Sequence, residues 1–316
     1  MKLSLNLKIY VYFLAMATLS FASCRKVKTA VNTESKEISR QNVEIAKKEL
    51  SEAFKEYWYA GTAEITSYRL EQARYGEIRE GEAVLIYVTE PFLADKQVKA
   101  DRSNPENIPV LKLNTTKKFL TGIYPYSIMT SSFYPVHDNG HAVKISNSAQ
   151  EWCGHVYAQL NNREEFEVLS HSYFETEADQ EFNLSKAILE DELWNKIRVD
   201  PKSLPTGSLQ IIPSMEYTRL HHKEFKAYEA TVTLTNNGTL TTYTITYPAL
   251  ERTLEINFSK DFPNTIENWS ETAASGFGPG AKQLTTTASK IKTLNTPYWQ
   301  QNHNSDLFLR DSLGLK

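Results

Sequence analysis

The pattern of hydrophobic and polar positions divides the chain into three parts. Ile9 to Leu19 is an apolar run preceded by Lys2 and Lys8. It falls short of the roughly 20 residues that a membrane-spanning helix needs, and it reads as a secretory signal peptide over residues 1–23. A polar stretch without period follows, which makes residues 24–34 a tether. From Ser35 to Trp58 apolar residues recur at helical spacing, with Ala46, Leu50, Ala53, Phe54, Tyr57 and Trp58 on one face. This predicts an N-terminal helix, stopped near Gly61.

Beyond Gly61 the period changes to two. Runs such as TAEITSYRL, AVLIYVTEPF, IPVLKLNTT, KFLTGIYPYSIMTSSFYPV and RTLEINFS are rich in β-branched and aromatic side chains and bounded by Gly, Pro, Asn or Asp. YEATVTLTNNGTLTTYTITYP alternates on both sides of Asn237-Gly238 and predicts a type I′ hairpin turn. One segment breaks the strand pattern. Leu189, Leu193 and Ile197 line one helical face, with Ser185 as candidate N-cap and Asp200-Pro201 as the stop. Hairpin-length links without βαβ alternation predict an antiparallel arrangement. The expected fold is mainly β: one large curved antiparallel meander or open barrel over residues 35–316, with one N-terminal helix and one inserted helix packed on it.

Charge changes the picture by exclusion. The formal net charge is −3, and loss of Lys2 and Lys8 with the signal leaves −5, so the electrostatic footprint of a nucleic-acid binder is absent. The two cysteines are Cys24 and Cys153. Ala22-Ser23-Cys24 at the end of the apolar run resembles a bacterial lipobox, which is cleaved just before an acylated cysteine. The resemblance implies lipidation at Cys24 and a lipid bilayer as partner; an ordinary signal peptide ending near a cysteine is the alternative. Phe21 departs from the lipobox pattern, where Leu is commoner. Arg25, Lys26 and Lys28 follow Cys24 where surface-exported lipoproteins of the Bacteroidota carry acidic residues. The expected location is therefore the periplasmic face of the outer membrane.

Candidate chemistry centres on SAQEWCGHVY, Ser148 to Tyr157. Strand alternation would place Cys153, His155 and Tyr157 on one face. The expected role of Cys153 is that of a small buried hydrophobe on a strand. A thiolate–imidazole nucleophile would need Cys153 accessible and His155 oriented by a third group. A metal would need more ligands than these two, and a redox or intermolecular disulfide role stays open. His221-His222 with Glu224 would point to opposite faces of a strand end. Glu175, Glu177, Asp179 and Glu181 lack EF-hand spacing and read as a solvated acidic edge. SGFGPGAK lacks the Lys-Ser/Thr ending of a phosphate loop and reads as a hairpin loop. No metal or cofactor is expected.

WYAGTAEITSYRLEQARYGEIREGEAVLIYVTEPF, LTGIYPYSIMTSSFYPV and SAQEWCGHVYAQLN together resemble a group of Bacteroidota lipoproteins to which no activity is assigned. Some members go under the name septum formation inhibitor Maf, but the Ser-x-Ser-Pro-Arg-Arg signature of the Maf pyrophosphatases has no match here. The resemblance implies an envelope lipoprotein. Its expected role is non-enzymatic binding or scaffolding, with an apolar ligand or an envelope protein held on the concave side of the sheet. The alternative is a hydrolase or thiol enzyme using Cys153 and His155.

Overall fold

A computed structural model describes residues 48–315. The signal segment, the tether and Cys24 lie outside the described residues. Helix α1 (Glu52–Trp58) leads into β1 (Ala63–Arg74), β2 (Glu77–Leu93), β3 (Val98–Lys99), β4 (Ile108–Thr121), β5 (Tyr124–Pro135), β6 (Lys144–Glu151), β7 (Gly154–Asn162), β8 (Phe166–His171) and β9 (Gln180–Leu184). Then come β10 (Ile188–Leu189), α2 (Glu190–Val199), β11 (Gly207–Ile212), α3 (Met215–Leu220), β12 (Tyr228–Asn237), β13 (Leu240–Tyr247), β14 (Arg252–Ser259), β15 (Ile266–Ser275), β16 (Lys282–Thr296) and α4 (Phe308–Ser312).

All the strands join one sheet. Its order is β10-β11-β12-β13-β14-β15-β16-β1-β2-β4-β5-β6-β7-β8-β9, with β3 paired to β2. The ladders are antiparallel except for the short one between β10 and β11. This is the antiparallel meander that the period-two pattern predicts. β9 and β10 stand at opposite edges, yet only Ser185, Lys186 and Ala187 separate them. Four peptide units reach at most about 14 Å, so the sheet must curve until its two edges nearly meet. No ladder joins them and the sheet stays open. The edges meet through side chains instead: Phe166 and Val168 of β8 share one buried cluster with Leu189 of β10, Ile212 of β11 and Met215 of α3.

Helix α2 occupies the interior of this curve. Leu193 and Ile197 pack with Leu85, Tyr87, Leu113, Ile128, Ile211, Val232, Tyr243 and Ile256, which come from both halves of the sheet. Polar groups fix each end. Arg198 donates to both carboxylate oxygens of Glu64 on β1, at 2.7 and 2.6 Å. Glu190 accepts from Arg252 of β14 at 2.5 and 2.7 Å and from the Tyr247 hydroxyl at 2.6 Å. Acid at the N-terminus and base at the C-terminus also suit the helix dipole. Between the ends, Asn195 donates to the Leu111 carbonyl and Tyr87 to the Trp194 carbonyl. Against α2 the concave face is thus a packed core.

The other face is covered in part. Along β2, Ala83, Leu85 and Tyr87 join the core, whereas Val84, Ile86 and Val88 face a smaller cluster closed by Leu313 and Leu315. The Ser67 hydroxyl donates to the Leu313 carbonyl at 2.5 Å and holds this C-terminal segment down.

Several boundaries differ from expectation. Lys48 to Ser51 are not helical, and α1 starts at Glu52, where the Ser51 hydroxyl accepts from the Phe54 N–H. Helix α2 starts at Glu190 instead of after Ser185, because Ile188 and Leu189 pair with β11. KFLTGIYPYS is two strands joined at Gly122-Ile123, where Gly122 has φ of 59°. The β12–β13 turn is Gly238-Thr239, one residue later than read. Helices α3 and α4 add to the two expected. Among the described residues no helix is long and apolar enough to cross a membrane.

Candidate ligand-binding site

Cys153 is exposed and lies off the strands. Glu151 pairs with Gly154 across the ladder, so Trp152-Cys153 is the two-residue turn between β6 and β7. The expectation of a buried strand cysteine is therefore corrected. Close approach fixes the residue after it: a Cβ on Gly154 would sit 2.3 Å from the Tyr173 ring. The Cys153 N–H donates to Glu151 at 2.6 Å. The same carboxylate raises the thiol pKa, first by a hydrogen bond with the thiol, with burial and its negative charge adding to it. That is the reverse of nucleophile activation. His155, exposed on β7, has no hydrogen-bond or ion-pair partner among the described residues. The two side chains do not form a nucleophile–base pair.

The histidine pair is also placed differently. His221 caps α3 and its ring stacks on Tyr217 at 4.3 Å. Burial lowers its pKa. His222 turns away into the left-handed region at φ 50°, with Nδ1 2.5 Å from Glu177. Glu177 also accepts from the Ser172 hydroxyl at 2.6 Å, and Asp179 lies 3.3 Å from His171. Two of the four acids in this stretch, Glu177 and Asp179, are thus engaged in local pairs. Among the described residues no group of three or more His, Cys, Asp and Glu side chains is arranged to hold a metal ion.

Beside α2 the interior holds a pocket of about 50 Å³, lined by Lys117, Asp191, Trp194, Glu216, Arg252 and Glu271 among others. That holds a few waters at most. Lys117 donates to Glu216 at 2.7 Å, and Asp191 accepts from the Met215 N–H at 3.0 Å. Burial pushes Asp191 up to about 7, against the lowering effect of that N–H.

A larger cavity of about 470 Å³ opens between β7–β9 and α3. This is within the ordinary size range of small-molecule sites. Alternation builds its floor: Val156 and Ala158 of β7, Val168 of β8, and Phe182 and Leu184 of β9. Met215, Thr218 and Arg219 form the opposite wall, at helical spacing on one face of α3. The segment His222–Lys226 and Glu177 complete the rim.

Two acids of the rim are engaged in place. Glu177 holds His222, and Glu224 lies 2.5 Å from Lys226. Arg219 differs. Its guanidinium lies 4.5 Å from the centre of the Phe174 ring, and Nε and Nη1 are shielded from solvent without any acceptor. An unsatisfied buried donor costs about 1–3 kcal/mol, more when charged. Glu216, one turn earlier on α3, is taken by Lys117. The Lys223 side chain has no hydrogen-bond or ion-pair partner among the described residues.

A second peripheral cavity of about 460 Å³ lies on the outer face under α4, lined by Ile65, Val84, Leu294, Leu309 and Leu313 among others. No unpaired buried charge faces it among the described residues.

Nothing in the sequence singled out α3. Its six residues give too little length for a helical period, and the segment read as strand. The available signal was Pro213-Ser214 followed by Glu216. Ser214 does cap the helix, accepting from the Tyr217 N–H at 3.1 Å.

No protein-family model and no curated protein matches the chain. Among solved structures, Aeromonas veronii immune modulator A matches at 10% identity, covering 78% of this chain and 97% of that one. The TM-score is 0.19, and a likeness at that level carries no argument about fold or function.

Proposed function

We propose that this protein is an envelope lipoprotein, anchored to the outer membrane through acylated Cys24 and facing the periplasm, with a non-enzymatic role in binding a ligand with an apolar body. The cavity between β7–β9 and α3 carries this reading. It has an apolar floor and ligand-sized volume, and its floor strand β7 presents Val156 on the same sheet face as the core residues Ala149 and Ile128. The thiol-enzyme alternative gains no support, because Glu151 and not His155 is the neighbour of Cys153.

The test uses the chain without its first 23 residues and the neutral fluorophore N-phenyl-1-naphthylamine. Saturable binding is expected in the parent chain. Ala158→Trp, which fills the floor, should abolish it without lowering Tm. Equal binding in parent and variant, or none in the parent, would overturn the cavity reading. The anchor is tested separately: Cys24→Ala should lose fatty-acid labelling and leave the membrane fraction.

A further inference from the structure

We propose that the cavity takes a long-chain monocarboxylate, its apolar chain lying on Val156, Ala158, Val168, Phe182 and Leu184 and its head paired with Arg219. This rests on the cavity being the binding site. It adds the chemistry of the head group, which the volume and the floor leave open.

Charge accounting carries the inference. Among the described residues Arg219 forms no ion pair, and the acids on its helix and on the cavity rim are bonded elsewhere. Glu177 is held by His222 and Ser172. Glu224 is held by Lys226. Glu216 is held by Lys117. Arg219 is left on Phe174 with two nitrogens shielded from water and no acceptor. Arg219 is half-buried on the cavity wall, and Nη2 is the guanidinium nitrogen not shielded there, so an anionic head held in the cavity would give this charge the partner it lacks. A planar guanidinium matches a carboxylate in shape as well as sign, and Lys223 on the same rim supplies a second positive group. An anion alone would not use the apolar floor, and a neutral apolar molecule would leave Arg219 uncompensated. One molecule satisfying both needs an apolar chain and an anionic end.

The experiment compares cis-parinaric acid with its methyl ester, by fluorescence titration of the chain without residues 1–23. The parent protein should bind the acid at least about tenfold more tightly than the ester, the ratio expected for one charge-assisted hydrogen bond. This comparison does not depend on any variant folding. Arg219→Gln should then erase the preference by weakening the acid alone, with the ester changed by less than about twofold. Equal affinity for acid and ester in the parent, or an unchanged preference in a folded Arg219→Gln variant, would overturn the head-group assignment while leaving the cavity standing. Failure of both probes, together with failure of the neutral fluorophore, would instead remove the site itself.

Discussion

Helices α2 and α3 each set arginine against aromatic rings, and they finish the task differently. Arg198 of α2 lies 4.9 Å from the Trp58 ring and 4.6 Å from Tyr87, with both oxygens of Glu64 in reach. Arg252, at the other end of α2, lies 4.2 Å from Tyr217 and bonds Glu190 and Glu271. Arg219 of α3 has the ring and lacks the acid. Buried polar groups in native proteins are nearly always satisfied. A satisfied arginine marks a finished interior; Arg219, half-buried beside an open cavity, is where the proposed ligand head would complete the structure.

The largest expected effect comes from breaking the finished side. Glu64→Ala leaves Arg198 buried without its counter-charge and should cost about 3–5 kcal/mol in urea unfolding. Arg219→Gln removes a charge that has no partner, so it should change stability by less than about 1 kcal/mol or raise it. Similar losses at both positions would erase the contrast between the two helices.

The next effect depends on pH. Asp191 has a folded-state pKa raised from 3.8 to about 7 by burial. Below the unfolded value both states are protonated. Between the two values only the unfolded state releases its proton, so stability falls as pH rises and levels off above about 7. Asp191→Asn should therefore gain stability relative to the parent across that window, on the order of a few kcal/mol. A difference in Tm that stays flat with pH would show that Asp191 is not the buried acid described.

The smallest effect is at the β6–β7 turn. Cys153→Ala should change stability by no more than about 0.5 kcal/mol, as for an exposed position whose thiol touches only the Glu151 carboxylate. The native thiol should react with alkylating reagents as completely as the denatured one, but with its pH midpoint displaced upward by Glu151. Glu151→Gln should bring that midpoint down. Protection of the native thiol from reagent would restore the buried-strand reading.

These positions also show what could be read before the structure. Alternation in β4 to β8 and the Leu193–Ile197 spacing of α2 gave the meander and its inserted helix, because burial on one face imposes those periods. The same rule failed at Trp152-Cys153. A two-residue turn without Gly, Asn or Asp carries no local signature, and alternation runs through it unchanged. The start of α2 slipped for a different reason: Ile188 and Leu189 suit either element, and pairing with β11 decided between them. The cavity was not legible at all. Its walls come from positions between Asn147 and Lys226 that only the curvature of the sheet brings together. The lack of an acid paired with Arg219 is a property of geometry, with Glu216 and Glu224 nearby in sequence, Glu177 on the same cavity rim, and all three bonded elsewhere.

Urea unfolding of the parent chain and of Arg219→Gln, each with and without a long-chain monocarboxylate, bears most directly on this assignment. A ligand at about a hundred times its Kd stabilises the state that binds it by about 2.7 kcal/mol. The parent should gain that increment, and Arg219→Gln should gain little or none at the same concentration. Equal gains in both proteins, or no gain in the parent, would contradict the role given to Arg219.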